Sequence, residues 1–223
     1  MAPCTNTFCH ITFPLMKKKY LLLFASLFLT GSIFSQDTIA KPERNPNRFR
    51  MCVLSKIYYL QPGSTGDNFL SSANKGKIGF GTEINFFTVY SFHFGLGYNF
   101  AQYDVTDVAL AGNVENTNVN NFFAKLYYKV PVNENFSVNP AIMAGQTWIR
   151  QRTGSKNYGI QDGGFIGLGV DAEYECNHWF ALFAGTRYNV IFTDTRTSPQ
   201  YQDFFQNLNQ FNVIAGVRFG TSK

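Results

Sequence analysis

Large apolar side chains occupy every second position over long stretches of the chain. In Ser91–Tyr103 the large residues are Phe92, Phe94, Leu96, Tyr98 and Phe100, and the residues between them are His93, Gly95, Gly97 and Asn99. A period of two residues predicts a β-strand with one apolar face and one small or polar face. A helix would distribute the same side chains around its axis.

The same alternation recurs along the rest of the chain. Five further segments follow it: Gly76–Thr88, Asn121–Val130, Gly164–Cys176, Phe180–Phe192 and Gln210–Phe219. Two less regular segments, Arg48–Leu60 and Phe136–Arg150, also fit. The second contains Pro140, which cannot donate a ladder hydrogen bond and is therefore expected to mark a bulge. The pattern predicts eight strands.

The connections between these segments alternate in length. Three are short, namely Thr88–Ser91, Pro131–Asn135 and Cys176–His178. Four are long and polar, namely Gln61–Lys75, Asp104–Val119, Gln151–Gly163 and Thr193–Asn209. Strict alternation of short and long connections predicts an up-and-down antiparallel topology.

The size of the alternating side chains decides which face points inward. The interior of a closed eight-stranded barrel is only just wide enough to be filled by side chains. Each predicted strand offers roughly four or five bulky groups on its large face, which such an interior cannot hold. The large face therefore points outward into lipid, where strands cross only as a closed barrel. The predicted fold is all-β, an eight-stranded antiparallel up-and-down transmembrane β-barrel.

The small face then lines a narrow lumen. Its glycines, which leave room for the longer interior side chains, are Gly79, Gly81, Gly95, Gly97, Gly167, Gly169, Gly185 and Gly216. Its charged residues include Glu83, Lys125, Asp171, Glu173, Arg187 and Arg218. Buried charges are tolerated when they are paired, so we expect a mixed-sign network that fills the lumen. The alternative is a selective path for ions.

The start of the chain has the layout of a secretory signal peptide. Lys17, Lys18 and Lys19 precede an apolar run, Leu21–Phe34, that is shorter than the roughly 20 residues of a membrane-spanning helix. We expect residues 1–15 to be an upstream artefact, 16–35 the signal peptide, 36–48 a periplasmic segment, 49–219 the barrel and 220–223 a tail.

Composition and charge agree with an exported barrel. Aromatic residues make up 17% of the chain and charged residues only 15%, against about 25% charged in soluble domains. Removing the three signal lysines lowers the net charge from +5 to about +2, which gives no support for a nucleic-acid partner. Of the four cysteines, Cys52 and Cys176 remain, on opposite faces of non-adjacent strands, and are expected to be unpaired.

With its signal peptide, its eight alternating strands and a last strand that ends on the aromatic Phe219, the chain resembles the small outer-membrane β-barrel family, the OmpA/OmpX-like, porin-like barrels of Gram-negative bacteria. The resemblance spans Phe49 to Phe219 and implies contact with outer-membrane lipid, recognition of the last strand by the barrel-assembly machinery, and periplasmic termini. The four residues after Phe219 depart from the family pattern, which often ends on the aromatic residue.

A catalytic centre is not evident in the sequence. Lipid-deacylating outer-membrane barrels use a His-x-Ser pair, but here Gly95 stands two residues after His93, and His178 lies in a turn beside Trp179. No cofactor or metal motif is present. We expect a non-enzymatic barrel with a structural, adhesive or interaction role through its extracellular loops. The alternatives are a narrow porin-like channel, a lipid-modifying enzyme and a soluble lipocalin-like lipid-binding barrel.

Overall fold

The computed structural model describes residues 49–195 and 198–220. The expected upstream segment (1–15), signal peptide (16–35), periplasmic segment (36–48) and residues 221–223 of the tail lie outside the described residues.

Long strands make up most of the described chain. They are β1 Phe49–Thr65, β2 Asn74–Val89, β3 Phe92–Val105, β4 Asn116–Tyr128, β5 Val130–Pro131, β6 Phe136–Thr153, β7 Lys156–Glu175, β8 Phe180–Asp194 and β9 Asn207–Phe219. The two-residue β5 continues β4 in the same register, since Tyr127 pairs with Ala141 and Val130 with Val138 of β6. The number of barrel strands is therefore eight.

All neighbouring strands are antiparallel, and the sheet closes on itself. The order is β4-β3-β2-β1-β9-β8-β7-β6, and β4 pairs in turn with β6. The first and last strands meet along eleven residue pairs, from Ser55↔Phe219 to Thr65↔Asn209. This closure confirms the up-and-down barrel that the sequence predicts, and it leaves none of the eight long strands as an open edge.

The orientation of the two faces is also confirmed. In β2 the residues from Ile78 to Phe86 alternate strictly between exposed and buried, with Ile78 and Phe80 outside and Gly79 and Gly81 inside. Large apolar side chains in all eight strands are more than a third exposed; examples are Ile57, Phe80, Tyr98, Phe122, Ile142, Leu168, Leu182 and Val213. The lipocalin-like alternative, which needs these groups inside, is wrong.

Two sequence-based expectations are wrong, one about a connection and one about a strand. Gln151–Gly163 is not a long loop. The end of β6 and the beginning of β7 lie within this segment and pair as a hairpin, joined by Gly154 and Ser155 alone. The sequence does not predict this strand pair, because the residues of the segment are polar and do not alternate in size. Pro140 marks no bulge, since its pairing with Val170 is in register. The pairing of β6 with β4 and β5 is instead interrupted at Pro140, which has no N–H to donate.

The two ends of the barrel differ. One end carries the short turns after β2, β4–β5 and β7 together with the start of β1 and the end of β9. The other end carries two short helices, Phe69–Ser72 and Val108–Ala111, the hairpin tip, and a loop with a helical turn, Gln202–Gln206. We call these the turn end and the loop end. Within the described ranges, no helix is sufficiently long and apolar for a membrane crossing.

We expect Gly216→Ala to destabilise the barrel by about 1–3 kcal/mol, the cost of overpacking a filled interior. A β-carbon at this position would come within 2.6 Å of the Tyr58 α-carbon in β1, and backbone cannot move aside easily. Urea unfolding of the refolded protein in detergent measures the change. Gly164→Ala is the matched control, because its β-carbon meets only the Gly145 carbonyl oxygen, at 3.5 Å. Equal stability of the two variants would contradict this packing argument.

Candidate functional site

The interior of the barrel at the turn end is a network of buried charges. The structure brings together all six charged residues singled out from the sequence, namely Glu83, Lys125, Asp171, Glu173, Arg187 and Arg218. Three more inward-facing charges join them, namely Lys56, Lys129 and Glu175. Five bases and four acids from six different strands therefore meet inside the barrel.

Glu83 and Asp171 form one centre of this network. The Lys125 Nζ lies 3.0 Å from the Glu83 carboxylate and 2.8 Å from that of Asp171. The guanidinium of Arg187 contacts Glu83 at 2.5 Å and also donates to the Tyr58 hydroxyl at 2.8 Å. Each acid thus has more than one cationic partner, as burial of a charge requires.

Glu173 forms a second centre, closer to the turn end. Its carboxylate lies 3.0 Å from Arg218 and 3.4 Å from Lys56. Lys56 also reaches Asp171, at 3.3 Å, and so joins the two centres. Lys129 and Glu175 pair at the rim, where both side chains are partly exposed. The network therefore runs from the rim into the fully buried interior.

Aromatic rings surround the buried cations. Lys56 Nζ lies 4.5 Å from the centre of the Phe183 ring, and the Arg187 guanidinium lies 4.7 Å from that of Tyr58. The contact of a desolvated cation with the face of an aromatic ring contributes about 2 kcal/mol or more. Phe123, which is also near Arg187 at 5.9 Å, completes the packing. The charges are therefore enclosed by side chains as well as paired.

The inward glycines provide the space for these large groups. A β-carbon at Gly81 or Gly216 would collide with Tyr58, and one at Gly97 would collide with the Phe123 ring. The remaining glycines face other neighbours across the strands: Gly79 faces Leu60 and Phe100, Gly95 faces Asn85, Gly167 faces Asn189, Gly169 faces Arg187 and Met143, and Gly185 faces Asp171. Each glycine of the predicted set therefore lies against a bulkier residue of the neighbouring strands.

An amide layer separates the charges from the loop end. Gln210 is its centre, because its side-chain oxygen accepts from Asn121 at 3.1 Å and from Asn189 at 3.2 Å, and its nitrogen donates to the Tyr103 hydroxyl at 3.0 Å. Tyr103 in turn donates to the Gly63 carbonyl oxygen at 3.2 Å. This layer is uncharged and hydrogen-bonded across the lumen.

An apolar cap fills the barrel at the loop end. Phe69 and Leu70, from the short helix between β1 and β2, are fully buried inside it. Asn68 caps this helix, accepting from the backbone N–H groups of Leu70 and Ser71. The Phe69 ring packs against Phe205 at 5.2 Å between ring centres. Inward residues of the strands complete the cap: Leu60, Tyr103, Val119, Ile149, Ile191 and Leu208.

Sequence reasoning missed these large interior residues. The same period-two register that places glycines inward also places Phe123, Phe165 and Phe183 inward. A count of inward positions by strand would therefore have found them. The burial of Phe69 and Leu70 gives no such signal, because these residues lie in a loop.

The histidine of β3 has polar and aromatic neighbours. His93 is buried, its Nδ1 lies 2.9 Å from the Thr88 hydroxyl, and its ring stacks on Tyr127. Thr88 also contacts the thiol of Cys52, at 3.1 Å, and both Cys52 and the exposed Cys176 are free thiols. Within the part of the chain that is described, no cluster of three or more His, Cys, Asp or Glu residues could hold a metal ion.

A closed antiparallel barrel of eight strands, apolar outside and filled by polar groups inside, has the fold of the small outer-membrane β-barrels. Neisserial surface protein A superposes with a TM-score of 0.53 at 18% identity, covering 77% of this chain and 96% of its own. Outer membrane protein AlkL, solved in lipid bilayers, gives 0.52 at 10% identity, covering 83% and 96% respectively. A major outer membrane protein of Thermus thermophilus gives 0.50 at 14% identity, covering 77% and 100%. No family model and no curated protein matches the sequence.

We expect Arg187→Met to destabilise the protein by about 3–5 kcal/mol, because it removes the nearest of the two cations that pair with the buried Glu83 carboxylate. Arg187→Met combined with Glu83→Gln should recover at least half of that loss, since the double variant removes both members of the pair. Urea unfolding of the four proteins of this cycle measures the coupling.

Lys77→Met is the control for this cycle. Lys77 pairs with Asp104 at 3.1 Å on the exposed surface, where an ion pair contributes about 0–1 kcal/mol. If Arg187→Met costs no more than this control, the buried network does not stabilise the barrel.

Proposed function

We propose that the protein is an integral outer-membrane barrel with a closed lumen, which acts without catalysis in a structural, adhesive or interaction role through its extracellular loops. The filled interior is the observation that carries the proposal. Paired charges, an amide layer and an apolar cap follow one another along the lumen. A molecule closed in this way presents its surface and loops to partners and offers no passage.

The outer surface supports a position in lipid. Its belt of large side chains is apolar on every strand, and a bilayer admits strands only as a closed barrel. At the turn end, Trp179, Phe180 and Phe219 pack together, with Phe180 and Phe219 5.5 Å apart between ring centres. Aromatic side chains of this kind form the girdles at the interfaces of outer-membrane barrels.

The difference between the two ends supports the orientation that we propose. Outer-membrane barrels have short periplasmic turns and longer extracellular loops, so we assign the turn end to the periplasm and the loop end to the cell exterior. Both barrel termini then lie on the periplasmic side. The last strand, Asn207–Phe219, ends on an exposed aromatic residue and is the segment that we propose the assembly machinery recognises.

The channel alternative needs a path through the network. Arg187, Lys125 and Lys56 are fully buried and in contact with acids. An ion entering this region would have to break those pairs in a low-dielectric interior, where unpaired charges are costly. An eight-stranded barrel also leaves little free bore. These properties favour a closed lumen over a pore.

Conductance in planar bilayers tests the closed lumen. The wild-type protein, shown to be folded by its heat-dependent gel mobility, should give no stable open channels. The variant Lys125→Ala with Glu83→Ala removes a base and an acid from the network and should also stay closed, because the amide layer and the apolar cap remain in place. Steady open channels in the wild-type protein would contradict the proposal.

A lipid-facing charge tests the belt. We expect Leu96→Arg, in the middle of β3 on the outer face, to lower the free energy of unfolding in lipid vesicles by roughly 2–4 kcal/mol, the cost of Arg near the bilayer midplane. Ser155→Arg, in the exposed hairpin tip, is the control and should fold as the wild type does. Normal insertion of Leu96→Arg would mean that this face does not contact lipid.

A further inference from the structure

A cleft of about 250 Å³ opens at the loop end, outside the charge network. One wall is formed by Gln151, Gly159, Ile160 and Gln161 of the β6–β7 hairpin, where Gln161 is buried and the Ile160 side chain is exposed. The opposite side is formed by Ala111, Thr195 and Phe205. We call this the mouth cleft. Three separate loop-end segments therefore converge on one small space.

Gly159 shapes the hairpin wall. A β-carbon at this position would collide with the Gln151 carboxamide, which occupies the space that the missing side chain leaves. Any larger residue would push that carboxamide out of its place. The wall thus holds Gln151 in a defined position beside Gln161.

Gln161 has unused hydrogen-bonding capacity. The residue is 7% exposed, and its side-chain oxygen has no hydrogen-bond partner. Buried polar groups are normally paired. The terminal torsion of a Gln side chain is broad, so its carboxamide can turn to offer an acceptor and a donor to a molecule in the cleft.

The Phe205 side of the cleft is fixed by the apolar cap. Its ring packs on Phe69 and lies 5.1 Å from Phe204, edge to face. The Phe205 carbonyl oxygen accepts from the Thr193 hydroxyl at 2.7 Å. This part of the cleft is thus tied to the barrel interior and does not depend on a ligand for its form.

The chemistry of the lining selects a neutral ligand with hydroxyl groups. Among the described residues that line the cleft, none is charged, so these residues offer no ionic partner to a phosphate, a carboxylate or an ammonium group. Two carboxamides and one hydroxyl supply hydrogen bonds, while Phe205 supplies apolar surface. A sugar ring has this combination of hydroxyl groups and apolar C–H faces.

We propose that the mouth cleft binds a single neutral sugar unit, a hexose or an N-acetylhexosamine. The volume of about 250 Å³ is below the roughly 300–1,000 Å³ of drug-sized sites and accommodates about one ring, free or at the end of a glycan. Binding itself rests only on the cleft. The source of the sugar rests on the proposed function, since that function exposes the loop end to the cell exterior.

Ligand-observed NMR on the refolded protein in detergent tests this inference. The probes are the methyl glycosides of glucose, galactose, mannose and N-acetylglucosamine, with methyl glucuronide and an N-acetylated dipeptide amide for comparison. At least one neutral glycoside should bind saturably, and Gln161→Leu should weaken it roughly tenfold, or about 1.4 kcal/mol. Gln200→Leu, an exposed loop-end residue outside the cleft lining, is the matched control and should bind as the wild type does.

Gly159→Ala should also weaken binding, because the added β-carbon displaces the Gln151 carboxamide in the wall of the cleft. This variant provides a second test if Gln161→Leu fails to fold. Repeating the titration with glycans released from the producing cell's own lipopolysaccharide, and with unrelated neutral oligosaccharides, separates a sugar of the same cell from an external one.

Absence of saturable binding by all neutral glycosides would overturn the inference, as would preference for the glucuronide or the dipeptide, or equal binding by Gln161→Leu. These results are independent of the conductance measurement. A closed barrel that binds no sugar would refute the cleft alone, and a conducting barrel that binds one would refute the closed lumen alone.

Discussion

The narrow bore of an eight-stranded barrel is the constraint on which the rest of the structure depends. Its interior holds one side chain at each inward position only if large and small groups alternate between neighbouring strands. Tyr58 occupies the space that side chains at positions 81 and 216 would need, and Phe123 occupies the space that a side chain at position 97 would need. Because this interior is full, the remaining bulky side chains can only lie outside. The apolar belt and the filled lumen are therefore two results of the same limit on volume.

The buried charges fit this constraint and add specificity of register. The acids of the network lie on β2 and β7, whereas its bases come from β1, β4, β8 and β9. A slip of one residue in any of these strands would move a charge to the outer face, because side chains alternate between faces. Asp171 by itself contacts bases on three other strands, β1, β4 and β8. The network therefore penalises incorrect strand pairing across the whole barrel.

The sequence predicts the part of the fold that lies within the belt and fails beyond it. From Ile78 to Phe86 the alternation of size is so regular that both the strand and the orientation of its two faces can be derived. Beyond the belt both faces of a strand meet water, so Lys156–Tyr158 has no reason to alternate and resembles a loop although this end of β7 is paired with β6. The six network residues could be identified because a charged side chain on the small face of a lipid-embedded strand can only point into the lumen. Their partners across the lumen depend on the closure of the sheet, which no local pattern encodes.

The cap gives the loop end an order that its polar composition does not suggest. Phe69 and Phe205 come from two different loops and meet inside the barrel, and the backbone N–H of Thr106 donates to the Ala73 carbonyl oxygen at 2.9 Å, joining a third. Two of these loops are therefore anchored by aromatic side chains of the cap, and a backbone hydrogen bond joins the third loop to them. A ligand entering the mouth cleft would meet walls that are already in position, and would not have to order three loops at the cost of their conformational entropy. The same burial that closes the lumen thus makes the loop end suitable for recognition.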